Sequence, residues 1–334
     1  MRIAINGFGR IGRNVFKIAF EDKNIEIVGI NDLTSNEVLA HLLKYDSTYG
    51  VYEKKVSYDD KGITVDGKLI PVFELRNPKE LPWKELKVDV VIESTGVFRT
   101  AEGPRGGYKD HVVAGAKKVI LTVPAKDEID QTIVCGVNDD QIDFSKVAFS
   151  NASCTTNCLA PLAKIVNDAF GIERGLMTTV HSYTNDQVVL DGPNADLRRA
   201  RSAGCSIIPT TTGAAKAVAK VIPSLEGKLN GMAMRVPTPT GSIVDLVVIT
   251  KKDCTVEEMN AAVKAAADGP MKGIMEYTSD PIVSRDIVAN NHSSIFDSLL
   301  TMKMGPNMFK LLSWYDNEMG YSTRVVDLAK KITK

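Results

Sequence analysis

The residue best suited to covalent chemistry is Cys154, within the run Ser150-Asn151-Ala152-Ser153-Cys154-Thr155-Thr156-Asn157-Cys158. An apolar strand pattern, Val147 to Phe149, precedes it, and a helical pattern, Thr155 to Phe170, follows, so the sulfur stands at or near a helix N-terminus. Free N–H groups at such an end stabilise a thiolate, lower the thiol pKa and can serve a developing oxyanion. The polar neighbours Ser153, Thr155, Thr156 and Asn157 set Cys154 apart from Cys135, Cys158, Cys205 and Cys254, which read as small buried hydrophobes. Cys154 and Cys158 would share one helix face, and His181 is a conceivable further metal ligand. The other histidines, His41, His111 and His292, are scattered, so structural zinc is not expected. His181 ends the strand-like run from Met177 and opens the polar stretch Ser182 to Asp186. A histidine at a strand end is more often structural than catalytic, and no periodicity brings it to Cys154.

A second constellation is Gly7-Phe8-Gly9-Arg10-Ile11-Gly12, which follows the strand pattern Arg2 to Asn6 and opens the helical pattern Arg10 to Phe20. That context gives the motif its meaning. Gly7 permits a tight turn, Gly9 lets the backbone approach a pyrophosphate, and Gly12 allows close helix–strand packing. The helix N-terminus then faces the phosphates. Asp32, at the end of the second strand (Ile25 to Asn31), can accept hydrogen bonds from ribose hydroxyls and repels a 2′-phosphate, favouring NAD over NADP. The plainer reading is a glycine-rich turn with an aspartate capping the next segment. Glu93-Ser94-Thr95-Gly96 follows a later apolar strand, so Ser94 and Thr95 lie where parallel sheets bind ligands; a capping loop reads the same way.

These groups need a scaffold. The first half alternates apolar strands (Val88 to Ile92, Lys118 to Val123, Thr132 to Val137) with helical patterns, and Asp59 to Phe73 turns back at Asp60-Lys61-Gly62 and Asp66-Gly67 as antiparallel hairpins. Near-continuous apolar strands imply a parallel sheet covered on both faces. Beyond Asn151 the strands lengthen (Thr178 to Ser182, Gly231 to Val236, Val244 to Thr250), with a helix at Val256 to Ala267 and another from Ser322 to the C-terminus. The expected fold is therefore a Rossmann-type α/β dinucleotide-binding domain, residues 1–153 with a C-terminal helix at about 318–334 packing back on it, plus an α+β catalytic domain, 154–317, with a mostly antiparallel sheet.

The chain has 334 residues, and 41 basic side chains balance 41 acidic ones, so no global field collects nucleic acid or an anionic membrane. The glycines near the N-terminus break any signal-peptide pattern, and no run reaches the roughly eighteen apolar residues of a spanning helix. Five sparse cysteines do not form a disulfide framework, which points to a reducing, cytoplasmic setting.

The motifs resemble, from end to end, the phosphorylating glyceraldehyde-3-phosphate dehydrogenases: INGFGRIGR at Ile5, HLLKYDS at His41, ESTGVF at Glu93, SNASCTTNCLAPLAK at Ser150, TTVHSYTNDQ at Thr178, DLRRAR at Asp196, IIPTTTGAAKAV at Ile208, MRVPTPTGS at Met234 and SWYDNEMGYS at Ser313. The resemblance implies oxidation of D-glyceraldehyde 3-phosphate with NAD and inorganic phosphate. It makes Cys154 the nucleophile and His181 its base. It assigns Ser153, Thr155, Thr212 and Gly213 to inorganic phosphate, and Thr184, Arg199 and Arg235 to the substrate's own phosphate. Arg10, Ile11, Asp32, Arg76 and Thr122 become NAD contacts, and Asn317 the residue that orients the nicotinamide carboxamide. It also implies a homotetramer with a subunit-bridging loop at about Tyr183 to Cys205.

Two stretches depart from the family. Arg99 to Asp110 is glycine-rich where many relatives carry a charged helix, and Asp191-Gly192-Pro193 replaces the Asp-Leu-Pro of many bacterial members. The nearest alternative is erythrose 4-phosphate dehydrogenase, which shares the ASCTTNC block. A binding protein on the same fold is a second, and a cysteine hydrolase a third that leaves the glycine motif without a purpose.

Overall fold

A computed structural model of the chain describes residues 1–333, which fall into two units. The first comprises Met1–Ile133, Asp139–Ala152 and the segment from Ser322; the second comprises Val134–Asn138 and Ser153–Tyr321.

The first unit is built on β1 (Arg2–Asn6), β2 (Glu26–Asn31), β3 (Val56–Asp59), β4 (Gly62–Val65), β5 (Lys68–Phe73), β6 (Val90–Glu93), β7 (Lys118–Leu121), β8 (Gln131–Thr132) and β9 (Ala148–Ser150). They form one nine-stranded sheet in the order β8-β9-β7-β6-β1-β2-β5-β4-β3. Every pairing from β8 to β5 is parallel, while β3, β4 and β5 form the antiparallel hairpins. All four residues of β6 are buried, as a strand covered on both faces requires. Because β1 lies between β2 and β6, the strand order reverses beside it, which opens a crevice at the carboxyl ends of β1 and β6. Helix α1 (Arg10–Glu21) covers one face through Val15, Phe16 and Ala19. Its C-terminal counterpart, running Met319–Ile332, is tied to this unit by Lys330–Asp22 and Lys331–Asp139 ion pairs of 3.2 and 2.7 Å.

The run Thr132 to Val137 is not a strand. Only Gln131–Thr132 pairs. The amide of Val134 bonds to the Asn138 Oδ1 and Gly136 sits at φ 80°, so the apolar residues that follow bend into a turn. Arg99 to Asp110 is likewise not a helix but a succession of turns, closed by the Gly106 amide on the Gly103 carbonyl and the Gly107 amide on Asp110.

The second unit carries β10 (Ile172–Ser182), β11 (Ile208–Thr211), β12 (Leu229–Val236), β13 (Ser242–Thr250), β14 (Met275–Thr278), β15 (Ser294–Asp297), β16 (Met302–Met304) and β17 (Met308–Tyr315). Their order is β11-β12-β10-β13-β17-β15-β14, with β16 on β17. Only β10–β12 and β14–β15 are parallel pairs, so the sheet is mostly antiparallel. A helix, Cys154–Phe170, packs across it. Ser153 caps this helix through its Oγ on the Thr156 amide, and Gly171 at φ 70° ends it.

Candidate active site

Each unit carries candidate residues where its own elements end. In the first unit, the glycine turn leaves β1 at Gly7, whose amide bonds the Asn31 carbonyl at 2.8 Å. Gly7 has φ 91°, and a Cβ there would stand 2.6 Å from the Thr95 nitrogen; one on Gly12 would stand 2.1 Å from the Gly7 carbonyl oxygen. Both glycines are therefore required by packing. At Gly9 nothing lies within 4 Å of where a Cβ would be, so the backbone there is open to a ligand. Asp32 bonds the Phe8 amide with Oδ2 (2.7 Å) and the Thr34 amide with Oδ1 (3.0 Å). It thus caps the following turn and also faces the ligand cavity.

That cavity has a volume of about 730 Å³ and is lined by Gly7, Gly9, Asp32, Arg76, Ser94 and Thr95 from the sequence-derived set. The remaining cofactor candidates of this unit sit differently. Gly12 is packed beneath the turn, Arg10 pairs with Asp46 at 2.8 Å, and Thr122 bonds the Glu93 carbonyl. Ile11 is partly buried in the first turn of α1. The glycine-rich segment contributes Gly103, Pro104, Arg105 and Gly106 to the cavity wall. The residues present fit a dinucleotide: an open glycine backbone, a carboxylate lining the cavity and a cationic flank.

In the second unit, Cys154 opens its helix and His181 lies near the end of β10. The two meet at 3.4 Å between Sγ and Nε2, a sulfur hydrogen-bond distance. His181 is buried, and its Nδ1 lies 2.6 Å from the Ser182 carbonyl oxygen, which can only accept. A proton on Nδ1 satisfies that oxygen and leaves the Nε2 lone pair facing the sulfur. Arg235, opposite His181 in the β10–β12 register, places Nη1 2.9 Å from both Nδ1 and the Ser182 oxygen and 3.1 Å from the Thr184 Oγ1. Burial, with the Arg235 charge behind it, pushes the His181 pKa down to about 3. The imidazole is therefore neutral at physiological pH, its Nε2 lone pair free but less basic than that of an exposed ring.

The thiol departs from the helix-end expectation. Burial pushes Cys154 up, against the opposing pull of Arg235 and of the Thr155 side chain and amide. Cys154 is nonetheless partly exposed, unlike the buried Cys158, whose thiol is pushed up to about 12. The resting pair is thus a thiol beside a neutral imidazole. Cys205, read as buried, is exposed instead, because it sits in the open loop before β11.

Around the pair lie the anion candidates. Ser153 and Thr155 occupy the helix N-terminus with Cys154, and Thr212 and Gly213 stand at the start of a second helix, Ala214–Val221. The two helices pack on each other. Thr184, Arg199 and Arg235 converge, with Arg199 held by Thr210 at 3.0 Å and by Asp186, and Thr184 also bonded to Asp186. The Arg235 Nε is buried without a hydrogen-bond partner among the described residues. Asn317 Oδ1 accepts from Ser182 (2.7 Å), Ser242 (3.0 Å) and Thr240 (3.3 Å), so its amide NH₂ is the end left to donate.

Sequence reasoning missed Asp186 and Tyr315. Tyr315 Oη lies 2.8 Å from both the Thr155 and Thr179 hydroxyls, and its ring meets the His181 ring edge-on at 5.9 Å. The strict inward alternation of Phe309, Leu311, Ser313 and Tyr315 along β17 was the available signal.

Comparison with known proteins agrees with this geometry. Residues 1–101 match the family model of the glyceraldehyde 3-phosphate dehydrogenase NAD binding domain, and 153–317 match that of the C-terminal domain. The chain is 66% identical over 337 residues to a glyceraldehyde-3-phosphate dehydrogenase of Borreliella burgdorferi, covering 100% of both. It is 58% identical to one from Geobacillus stearothermophilus (99% of this chain, 98% of the relative) and 55% to one from Bacillus subtilis (100% and 98%). The chain belongs to the glyceraldehyde-3-phosphate dehydrogenase family. As a member of that family it is an NAD-dependent oxidoreductase, with the Rossmann-type and α+β halves expected of it. No helix among the described residues is long and apolar enough to cross a membrane.

Proposed function

We propose that this chain oxidises D-glyceraldehyde 3-phosphate, with NAD and inorganic phosphate, to 1,3-bisphosphoglycerate through a thioester on Cys154. The observation that carries the reading is the 3.4 Å approach of the Cys154 sulfur to a buried, neutral His181 within this family's fold.

The chain's residues divide the work as follows. Nε2 of His181 takes the thiol proton as Cys154 sulfur adds to the aldehyde carbon, and returns it to the carbonyl oxygen of the resulting hemithioacetal. Bound NAD supplies the hydride acceptor. As hydride departs, Nε2 takes the hydroxyl proton, and the carbon is left as an acyl thioester on Cys154. Asn317, with its carboxamide oxygen held by three hydroxyls, would present its NH₂ to the nicotinamide amide. Inorganic phosphate, held by Ser153, Thr155, Thr212 and Gly213 at two helix starts, attacks the thioester carbon, and the thiolate leaves. Arg199, Arg235 and Thr184 hold the substrate's own phosphate; the unsatisfied Arg235 Nε supports this, since a buried donor without a partner is costly until an anion meets it.

A homotetramer in the cytoplasm completes the proposal. Val189 and Leu197 are each 83% exposed in the loop that the family uses to bridge subunits, and burying such side chains against another copy is favourable. Five free cysteines suit a reducing compartment.

The test is NADH formation from D-glyceraldehyde 3-phosphate with and without inorganic phosphate. Sustained turnover that requires phosphate supports the reading. Turnover indifferent to phosphate, or a preference for erythrose 4-phosphate, overturns it.

A further inference from the structure

The crevice floor in the first unit contains a buried acid and a buried histidine that the reaction does not use. Asn6 and Glu93 are register partners at the carboxyl ends of β1 and β6, where the strand order reverses. Glu93 is 1% exposed, His111 and Trp83 0%. The Trp83 indole Nε1 donates to His111 Nδ1 at 3.0 Å. An indole N–H can only donate, so Nδ1 carries the lone pair and the proton sits on Nε2. Nε2 then donates to Glu93 Oε2 at 3.0 Å, and His111 is neutral. The Asn6 amide donates to the same oxygen at 2.5 Å, which makes its 3.4 Å approach to Nε2 incidental. The other oxygen, Oε1, accepts from both the amide (2.9 Å) and the hydroxyl of Thr95. Four donors converge on one carboxyl group, so all its oxygen lone pairs are used as acceptors and it is ionised.

What Glu93 holds faces the ligand. Asn6 and Thr95 both line the cavity, and the Thr95 backbone is the surface against which Gly7 packs. The chain of fixed polarity extends through Asn6 Oδ1, which accepts from Asn31 at 2.7 Å, and Asn31 in turn pins the Leu75 backbone beside Arg76. We infer that Glu93, oriented by a neutral His111 and Trp83, is a positioning residue for the dinucleotide, setting the Thr95 turn and the Asn6 side chain against the glycine loop. The inference rests on reading this cavity as the cofactor site. His111 is the third part because it supplies a donor to Glu93 and an acceptor to Trp83 at once, a polarity that only a neutral ring provides.

The experiment measures NAD binding to the full-length protein by isothermal titration calorimetry. Glu93→Gln keeps the shape but points an NH₂ at donors, and is expected to weaken NAD binding about tenfold. His111→Leu, which strips Glu93 of one donor and leaves the Trp83 N–H unpaired, is expected to do the same. His111→Gln restores an acceptor for Trp83 and a donor for Glu93, and is expected to hold affinity within about twofold of the parent. Asp32→Ala reports on the cavity itself. If Asp32→Ala weakens NAD binding while Glu93→Gln leaves it unchanged, the positioning role is wrong. If His111→Gln binds as poorly as His111→Leu, the polarity argument is wrong, and this pair decides the matter even should Glu93→Gln not fold. If Asp32→Ala has no effect, the cavity is not the dinucleotide site and the inference falls with it.

Discussion

Arg235 Nη1 stands 2.9 Å from His181 Nδ1, a cation set directly against the ring proposed as the base. The contact disfavours the imidazolium and so keeps Nε2 available to the Cys154 proton. It also orders the site: the guanidinium that is held ready for an anion is the same group that tunes the base. An anion bound at Arg235 offsets that charge and makes the imidazolium easier to form when the proton arrives.

Replacing His181 with Asn removes the Nε2 acceptor and leaves a shorter polar group near the Nδ1 position. Acylation, measured as the pre-steady-state burst of NADH, should fall by about 10²–10⁴-fold. The pH profile for iodoacetamide labelling of Cys154 should move to higher pH. Cys205 is exposed and will also react, so labelling must be read peptide by peptide. An unchanged Cys154 profile would separate the two residues functionally.

Cys154→Ser should abolish turnover, by a factor on the order of 10⁴ or more, since a serine hydroxyl beside a neutral imidazole is a far poorer nucleophile toward the aldehyde. NAD affinity should be retained in calorimetry, since the proposed dinucleotide cavity of the first unit is untouched. Residual dehydrogenase activity near the parent level would remove Cys154 from the mechanism.

Stability should depend on pH through His181. The unfolded ring binds a proton below about pH 6.5, whereas the buried ring resists protonation down to about pH 3. In that window the unfolded state holds more protons, so stability falls as pH falls, by up to a few kcal/mol. Urea midpoints at pH 7 and pH 4.5 should therefore differ less in His181→Asn than in the parent. An equal loss in both would place the acid sensitivity elsewhere.

Tyr315→Phe keeps the ring against His181 but leaves the buried Thr155 and Thr179 hydroxyls without their shared partner. The expected cost is about 1–3 kcal/mol in urea unfolding. Burial, with Cys154 next to it, holds the Tyr315 pKa far above the phenol range, so its hydroxyl stays protonated throughout. The KM for inorganic phosphate should rise because Thr155 loses its orientation. Adding Thr155→Val should bring little further loss of stability, since the two hydroxyls act as one unit, and a further rise in the KM for phosphate.

The cofactor half was legible because its chemistry is local. Glycines at Gly7, Gly9 and Gly12 and an acid at Asp32 are fixed by a strand, a turn and a helix in direct succession. The run after Thr132 misled because buried apolar residues look alike in a strand and in a tight turn; Gly136, with its positive φ, was the mark of the difference. The reactive pair was legible in only one member. Cys154 announces itself by its polar neighbours, but His181 reaches it through the packing of a helix on a sheet, which no spacing encodes; the family resemblance supplied what periodicity could not. Asp186 and Tyr315 stayed hidden because an exposed loop acid and a strand-end phenol look ordinary until the fold closes around them.

His181 and Arg235 are paired in register on adjacent parallel strands. Side chains on a strand alternate between faces, so a slip of one residue between β10 and β12 turns one of the pair away from the sulfur. A mispaired molecule would then lose either the ring that meets the sulfur or the cation set behind that ring. One strand pairing therefore sets both the ring and the charge that lies against it.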